Sequence, residues 1–479
     1  AAVFVVTPLM IRELGDVRYG VWLVAMAVIG YFQILDLGVT VAGTRFLARE
    51  IGKGNQRRYQ AYLSTLFWIY RNIGLAVIPL TAVVVAIAPI FLGEGEFEGI
   101  LRWILLAFGL DISVRFFTRV FRVILRSHLR YDLLVAGSLV KTILQTVSII
   151  ALLPMGYDLP ALIVIHVAVD LVEQLLVFLF ARRVDGTIKV TTRLRRRALV
   201  KEVLKYGSAL VFFGLGKGLR NGVDPLLIGG FSGLARVPIY SIGNRFLETF
   251  TDLVNAVFGG HLLAALSQVE GKSEREKIRD SFLRITRLSA AFAMLGGCGL
   301  AFYAPDFIER WVGEGFDDSA KVVLILVIPH VIMLAQYPAY GLLMTTGRER
   351  QVAMLGFIGG ILNLAASLVL LQWIGFFGVV WGTALELTLV YLWVVPFLVS
   401  RAIDVSVFRY LITLLPGFFI VGTLSLAWYA LVRNWFAPDY LRLFLLGSGH
   451  SLLVFLGLWI TLLSSDQRHQ ILTMFRRLT

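Results

Sequence analysis

The sequence predicts an all-α polytopic membrane protein of about fourteen transmembrane helices, built as two pseudo-symmetric six-helix bundles followed by two C-terminal helices. Three observations carry that prediction. Apolar runs of about 20 residues recur along all 479 residues, which is the length a helix needs to cross the hydrocarbon of a bilayer. The composition, 58% hydrophobic and 16% charged, leaves too little polar residue for the recurring wet face of a soluble protein this long. Lysine and arginine gather in alternate short connections, so the net charge of +14 reads as the positive-inside pattern and not as a nucleic-acid surface. Barrel strands would alternate, and these runs do not.

The chain opens with AAVFVVTPLM, too short to span and without a basic segment or cleavage site, and reads as the tail of a first helix whose start precedes Ala1. A second span follows at about 21–41. The stretch TRFLAREIGKGNQRRYQ, carrying Arg45, Arg49, Lys53, Arg57 and Arg58, then lies inside. Span three, about 63–92, ends in the acidic GEGEFEG outside. Spans four, five and six occupy about 100–124, 133–154 and 160–180. The longest polar stretch comes next, with nine Lys or Arg in residues 181–206, and divides the protein as a cytoplasmic linker. Eight further spans fall at about 207–230, 239–266, 286–303, 321–345, 352–374, 378–400, 410–432 and 441–463. Basic and acidic connections keep alternating, which puts both termini on the cytoplasmic side.

The two halves repeat. IYRNIGL…APIFLGEGEF in span three matches ITRLSAA…APDFIERWVGEGF in span nine, so Arg71 corresponds to Arg287 and Ala88-Pro89 to Ala304-Pro305. Six spans separate them, so both copies point the same way: a parallel repeat about an axis along the membrane normal. The domain boundaries that follow are 1–182 for the N-terminal bundle, 183–206 for the linker, 207–400 for the C-terminal bundle, and 401–479 for the last two helices and a cytoplasmic tail.

Charges inside the spans carry the functional argument. GSALVFFGLGKGLRNGVDPLLIGG, residues 207–230, holds Lys217, Arg220 and Asp224 within about 60° of one another on one helix face. Each costs about 2.5–3.5 kcal/mol at mid-bilayer, so that face must meet protein or water. Span eight repeats the spacing with Arg245, Glu248 and Asp252. Asp111, Arg115, Arg119 and Arg122 share about 80° of span four. With Arg71 and Lys141, the cations outnumber the acids near them. Because an unpaired buried charge costs several kcal/mol, the excess points to an anionic ligand held by Arg115, Lys217, Arg220, Arg245, Arg71, Arg119 and Lys141. A cavity between spans one to six and seven to twelve would bring Arg115, Lys217 and Arg220 together on it. The alternative is structural: Arg220 paired with Asp224 to lock helices, and Arg71, Lys141, Arg119 and Arg122 snorkelling to the cytoplasmic edge. Asp36, Asp111, Asp170, Glu173, Asp224, Glu248, Asp252 and Glu386 are candidates for orienting those cations or coupling to an ion, with His166 beside them. A lone residue of this kind is more often a satisfied interhelical hydrogen bond.

No catalytic signature is present: no GxxxxGK[ST], no HExxH, no GxSxG, and no outside loop long enough to build an active site. A membrane glycan polymerase or ligase is thereby disfavoured. The single cysteine, Cys298, excludes an internal disulfide and reads as a small buried hydrophobe, and no metal or cofactor is expected.

RELGDVRYGVWLVAMAVIGYFQILDLGVTVAGTRFLARE, NGVDPLLIGGFSG followed by IYSIGNRF, and the fourteen-span plan together resemble the polysaccharide-biosynthesis flippases of the multidrug/oligosaccharidyl-lipid/polysaccharide exporter superfamily. The resemblance covers essentially the whole chain. It implies an oligosaccharide repeat unit on polyprenyl pyrophosphate, moved by alternating access from the cytoplasmic to the outer leaflet of the inner membrane, for O-antigen or exopolysaccharide assembly. Membrane lipid and polysaccharide-assembly proteins would be its partners, with H+ or Na+ as coupling ion and no nucleic acid. A lipid II flippase and a multidrug exporter of the same superfamily are the alternatives, the second disfavoured by the cationic bias.

Overall fold

The computed structural model describes residues 2–92, 97–186, 194–258, 274–434 and 439–461, and among them there is no strand. In chain order the helices are α1 (Ala2–Phe32), α2 (Val39–Gly52), α3 (Gln56–Leu92), α4 (Glu98–Ser127), α5 (Tyr131–Leu152), α6 (Leu159–Val184), α7 (Arg197–Phe231) and α8 (Arg236–Phe258). Then come α9 (Glu274–Val312), α10 (Asp317–Ala335), α11 (Pro338–Thr345), α12 (Glu349–Ile374), α13 (Phe376–Leu389), a π-helical turn (Val390–Val394), α14 (Val395–Ile403), α15 (Val407–Val432) and α16 (Tyr440–Thr461). Among the described residues ten helical stretches are long and apolar enough to cross a membrane, with α1 and α2 counted as one. α4, α7 and α8 fall outside the ten; in α4 and α8 charges interrupt the apolar run. The chain is an all-α, multi-pass membrane protein.

Local chemistry sets the ends. Asp158 caps α6, its carboxylate accepting from the Leu159 amide at 2.7 Å, with Pro160 in the first turn. Ser406 caps α15 by accepting from the Arg409 amide at 3.2 Å. α1 bends at Gly15 (φ 74), between the expected first and second spans. The second span itself is broken, contrary to expectation. After Phe32 the chain passes through a 3-10 turn, Gln33–Asp36, and then two left-handed residues, Leu37 (φ 50) and Gly38 (φ 69), before α2 begins. Two consecutive left-handed residues cannot continue an α-helix, and glycine takes that conformation without a Cβ clash.

The chain forms two compact units, residues 1–238 with 356–364, and residues 239–355 with 365–479. In the first, α3 packs on α4, α4 on α6, and α5 on α6. α7 packs on α1, α2 and α3 and belongs to this unit, whereas the sequence reading begins the second bundle at residue 207. Its seat is glycine: a Cβ on Gly38 would lie 2.6 Å from the Gly207 carbonyl oxygen, and one on Gly218 would lie 2.8 Å from Ile34. In the second unit α9 packs on α10 and α15, α10 on α13, and α15 on α16. Phe282 stacks on Tyr410 in its core with ring centroids 6.1 Å apart. Arg71 of α3 and Arg287 of α9 both bury Nε without a hydrogen-bond partner among the described residues.

Candidate functional site

Three helices of the first unit bring the intramembrane charges together. Along α4 the side chains of Asp111, Arg115, Arg119 and Arg122 recur at helical spacing on one face, and α5 and α6 supply what that face meets. Arg115 donates to Asp111 at 2.6 Å and also pairs with Asp170 of α6. Lys141 of α5 pairs with the same Asp170 and lies 3.7 Å from Glu173. Arg122 meets Glu173 at 2.7 Å. Toward the start of α6, His166 Nδ1 lies 2.7 Å from the Gln145 amide nitrogen, with its Nε2 4.0 Å from Asp170. Thr118 donates to Gln174 at 2.8 Å.

Arg119 turns the other way, to the break after α1. It donates to Gln33 at 3.0 Å and lies 3.4 Å from Asp36, with its guanidinium 5.0 Å from the centre of the Phe116 ring. Asp36 in turn accepts from the Thr40 hydroxyl at 2.6 Å and amide at 3.2 Å, and Thr40 touches the Tyr70 hydroxyl at 2.9 Å. The broken helix thus presents a carboxylate where the first free amides of α2 begin, which is the favourable end of the helix for negative charge.

The excess of cations inferred from sequence is not what this set contains. Arg115, Arg119, Arg122 and Lys141 stand against Asp36, Asp111, Asp170 and Glu173, four against four, because acids on a neighbouring helix and at the helix break cross to meet the α4 cations. The two signs are, however, layered. The Asp111, Asp170 and Glu173 side chains are 0, 1 and 8% exposed, while Arg115, Arg122 and Lys141 are 28, 33 and 22% exposed. Carboxylates lie beneath and cations lie on top, so a balanced cluster shows a positive face. An arginine within a span cannot leave its charge in lipid, so these partly exposed side chains must meet water or protein.

The remaining candidates are dispersed. Lys217 and Arg220 are on α7, but their side chains lie outside the described residues, as does linker segment 187–193. Asp224 is buried on the same helix. On α8, Arg245 and Asn244 each donate to Glu248 at 3.1 Å, and Asp252 is exposed one turn on. Glu386 is fully buried in α13, one turn before the π-helical segment. Sequence reasoning misses Gln33, Thr40, Tyr70, Thr118, Gln145 and Gln174. The available signal is spacing, since Gln33 precedes Asp36 by one turn and Thr118 follows Arg115 by one turn, and polar residues in spans rarely stand idle.

Comparison with known proteins gives the same architecture. None of the curated protein sequences matches the chain significantly. Among solved structures, the chain superposes on an inward-facing multidrug resistance MATE family transporter of the MOP superfamily with a TM-score of 0.73 at 13% identity, covering 84% of this chain and 94% of that one. It superposes on the lipid II flippase MurJ in an inward closed conformation with a TM-score of 0.71 at 12% identity, covering 96% of each chain. The MATE multidrug transporter DinF-BH gives 0.60 at 15% identity, over 85% of this chain and 93% of that one. At such identities the likeness is one of fold. A family model described as "Polysaccharide biosynthesis protein" matches residues 9–321, well over half the chain. The chain belongs to the polysaccharide biosynthesis protein family and has the fold of the MOP superfamily transporters.

Proposed function

We propose that this protein is a flippase of the cytoplasmic membrane, with both termini inside, that moves polyprenyl-pyrophosphate-linked oligosaccharide units from the inner to the outer leaflet by alternating access. One observation supports the reading: the layered cluster of α4, α5 and α6, in which buried carboxylates hold Arg115, Arg122 and Lys141 while those three side chains stay partly exposed. A pyrophosphate is a compact dianion with many acceptor oxygens, and planar guanidinium groups can take two of them at once without losing their charge. The carboxylates beneath fix the forks in advance, so little ordering remains to be done on binding. Lys217 and Arg220 are proposed to add to the same anion site, with Asp224 orienting Arg220. The polyprenyl tail stays in lipid. An organic cation would meet this face with the wrong sign, which disfavours a multidrug exporter. Nothing in the reading calls for bond-making chemistry.

The test is translocation in proteoliposomes of a fluorescent polyprenyl-pyrophosphate saccharide, read by quenching from one side. Arg115→Ala should reduce the rate more than tenfold, and Arg115→Lys should retain part of it. A wild-type rate in the Arg115→Ala, Arg122→Ala double variant, with the protein folded, would show that the cluster is structural.

A further inference from the structure

α8 carries a second polar surface that differs in character from the cationic one. Arg245, Glu248, Thr249 and Asp252 fall within about 100° of one another on the helix, and Asn244 stands at the edge of the group. Arg245 and Glu248 are 42 and 41% exposed, and Thr249 and Asp252 are exposed as well. The opposite face is core: Tyr240, Leu247, Phe250 and Val254 are buried. Arg245 lies about 14 Å along the axis from Arg236, deep in the span. A surface of this polarity at that depth borders a water-filled path.

The described side chains of this surface suit a phosphate poorly. Arg245 is engaged by Glu248 at 3.1 Å, Glu248 also accepts from Asn244 at 3.1 Å, and the stripe itself carries one cation and two carboxylates. Sequence reasoning assigns Arg245 to the pyrophosphate; its pairing with Glu248 argues for a different role. What the stripe offers instead is a close array of both kinds of hydrogen-bonding group: carboxylate acceptors, guanidinium and amide donors, and the Thr249 hydroxyl, whose proton is given to the Arg245 carbonyl at 2.8 Å and whose lone pairs remain. Vicinal hydroxyls need alternating donors and acceptors a few ångströms apart.

We infer that the α8 stripe, Asn244, Arg245, Glu248, Thr249 and Asp252, is a glycan subsite that holds hydroxyl-rich sugar of the cargo. This rests on the flippase reading above.

The experiment is native mass spectrometry of the full chain with two probes: lipid-linked saccharides extracted from membranes of the host cell, and sugar-free polyprenyl pyrophosphate. The wild type should bind the saccharide-bearing probe more tightly. The Glu248→Gln, Asp252→Asn double variant should lose about tenfold for that probe, as expected when two hydrogen bonds of about 1 kcal/mol each are weakened, and nothing for the sugar-free one. Arg115→Ala should weaken both. Equal binding of the two probes by the wild type overturns the subsite, as does a double variant that loses both equally or neither. So does tetraphenylphosphonium binding that depends on Glu248 and Asp252, which would make the stripe a cation site. If the wild type binds neither probe, the flippase reading fails and the subsite fails with it. Retained binding of the sugar-free probe shows that the double variant is folded.

Discussion

Asp170 is the residue whose replacement separates stabilising from working roles in the α4 to α6 cluster. Its side chain is 1% exposed and pairs with both Arg115 and Lys141. In Asp170→Asn the two cations keep their charge and lose half of their compensation. Breaking a buried pair from one side costs about 3–5 kcal/mol. Because Arg115 and Lys141 retain 28 and 22% exposure, water recovers part of this, and a value near the lower end, about 3 kcal/mol, is expected. Lys141→Met leaves Asp170 still paired to Arg115 and should cost less, about 1–2 kcal/mol. The double variant restores balance and should be more stable than the sum of the two losses implies, with a coupling of about 2 kcal/mol. Unfolding in detergent, followed by tryptophan fluorescence for all four proteins, measures the cycle. An Asp170→Asn protein as stable as the wild type, or strictly additive losses, would refute the pairing argument. Transport in the same four proteins then supplies the second answer. If Lys141 meets the cargo, the double variant regains stability without regaining rate.

Three other outcomes are expected. Gly38→Ala should destabilise by more than Gly156→Ala in the same unfolding assay, since both positions have positive φ but only at Gly38 does the new Cβ meet a backbone carbonyl at 2.6 Å; equal losses would mean the α7 seat is soft. Single cysteines at Tyr157 and Asp317 should react with an impermeant thiol reagent from outside and one at Asn55 should not, with buried Cys298 giving little background; reversed labelling would invert the topology. Dissipating an inside-negative membrane potential should slow export of a dianionic cargo, since each charge moved outward gains about 2.3 kcal/mol per 100 mV, and an unchanged rate at constant pH and sodium would require a compensating cation.

Much of the fold is readable from the apolar runs alone, because a span must satisfy its backbone internally and so must be helical. The breaks are harder. Asp36-Leu37-Gly38 sits inside an apolar run whose hydropathy barely dips, and only the glycine hints that the chain turns left-handed there. At the cluster, the α4 stripe is legible because one helix displays its own periodicity, and Asp111 with Arg115 is a local pair. Pairing between helices is not written in any single segment. From sequence, Asp170 and Glu173 read as coupling acids and the cations as an excess, since their meeting depends on the packing of α4, α5 and α6. Residue 207 reads as the start of a second bundle for a similar reason: a linker is visible in composition, but the glycine contact that seats α7 on α1 and α2 is not.

The pairing of α4 with later helices also bears on how the protein is made. Asp111, Arg115, Arg119 and Arg122 together cost about 10–14 kcal/mol to place in hydrocarbon unaided. Asp36 is synthesised before α4, but Lys141, Asp170 and Glu173 follow it. A nascent α4 therefore has no stable place in lipid at the moment it leaves the ribosome. A single cysteine in α4 should react with a water-soluble maleimide in chains truncated after Leu152 and should not in chains extended past Val184. Membrane integration of this half is then a collective event, in which α4 waits in wet surroundings at the insertion machinery until α6 arrives to receive it.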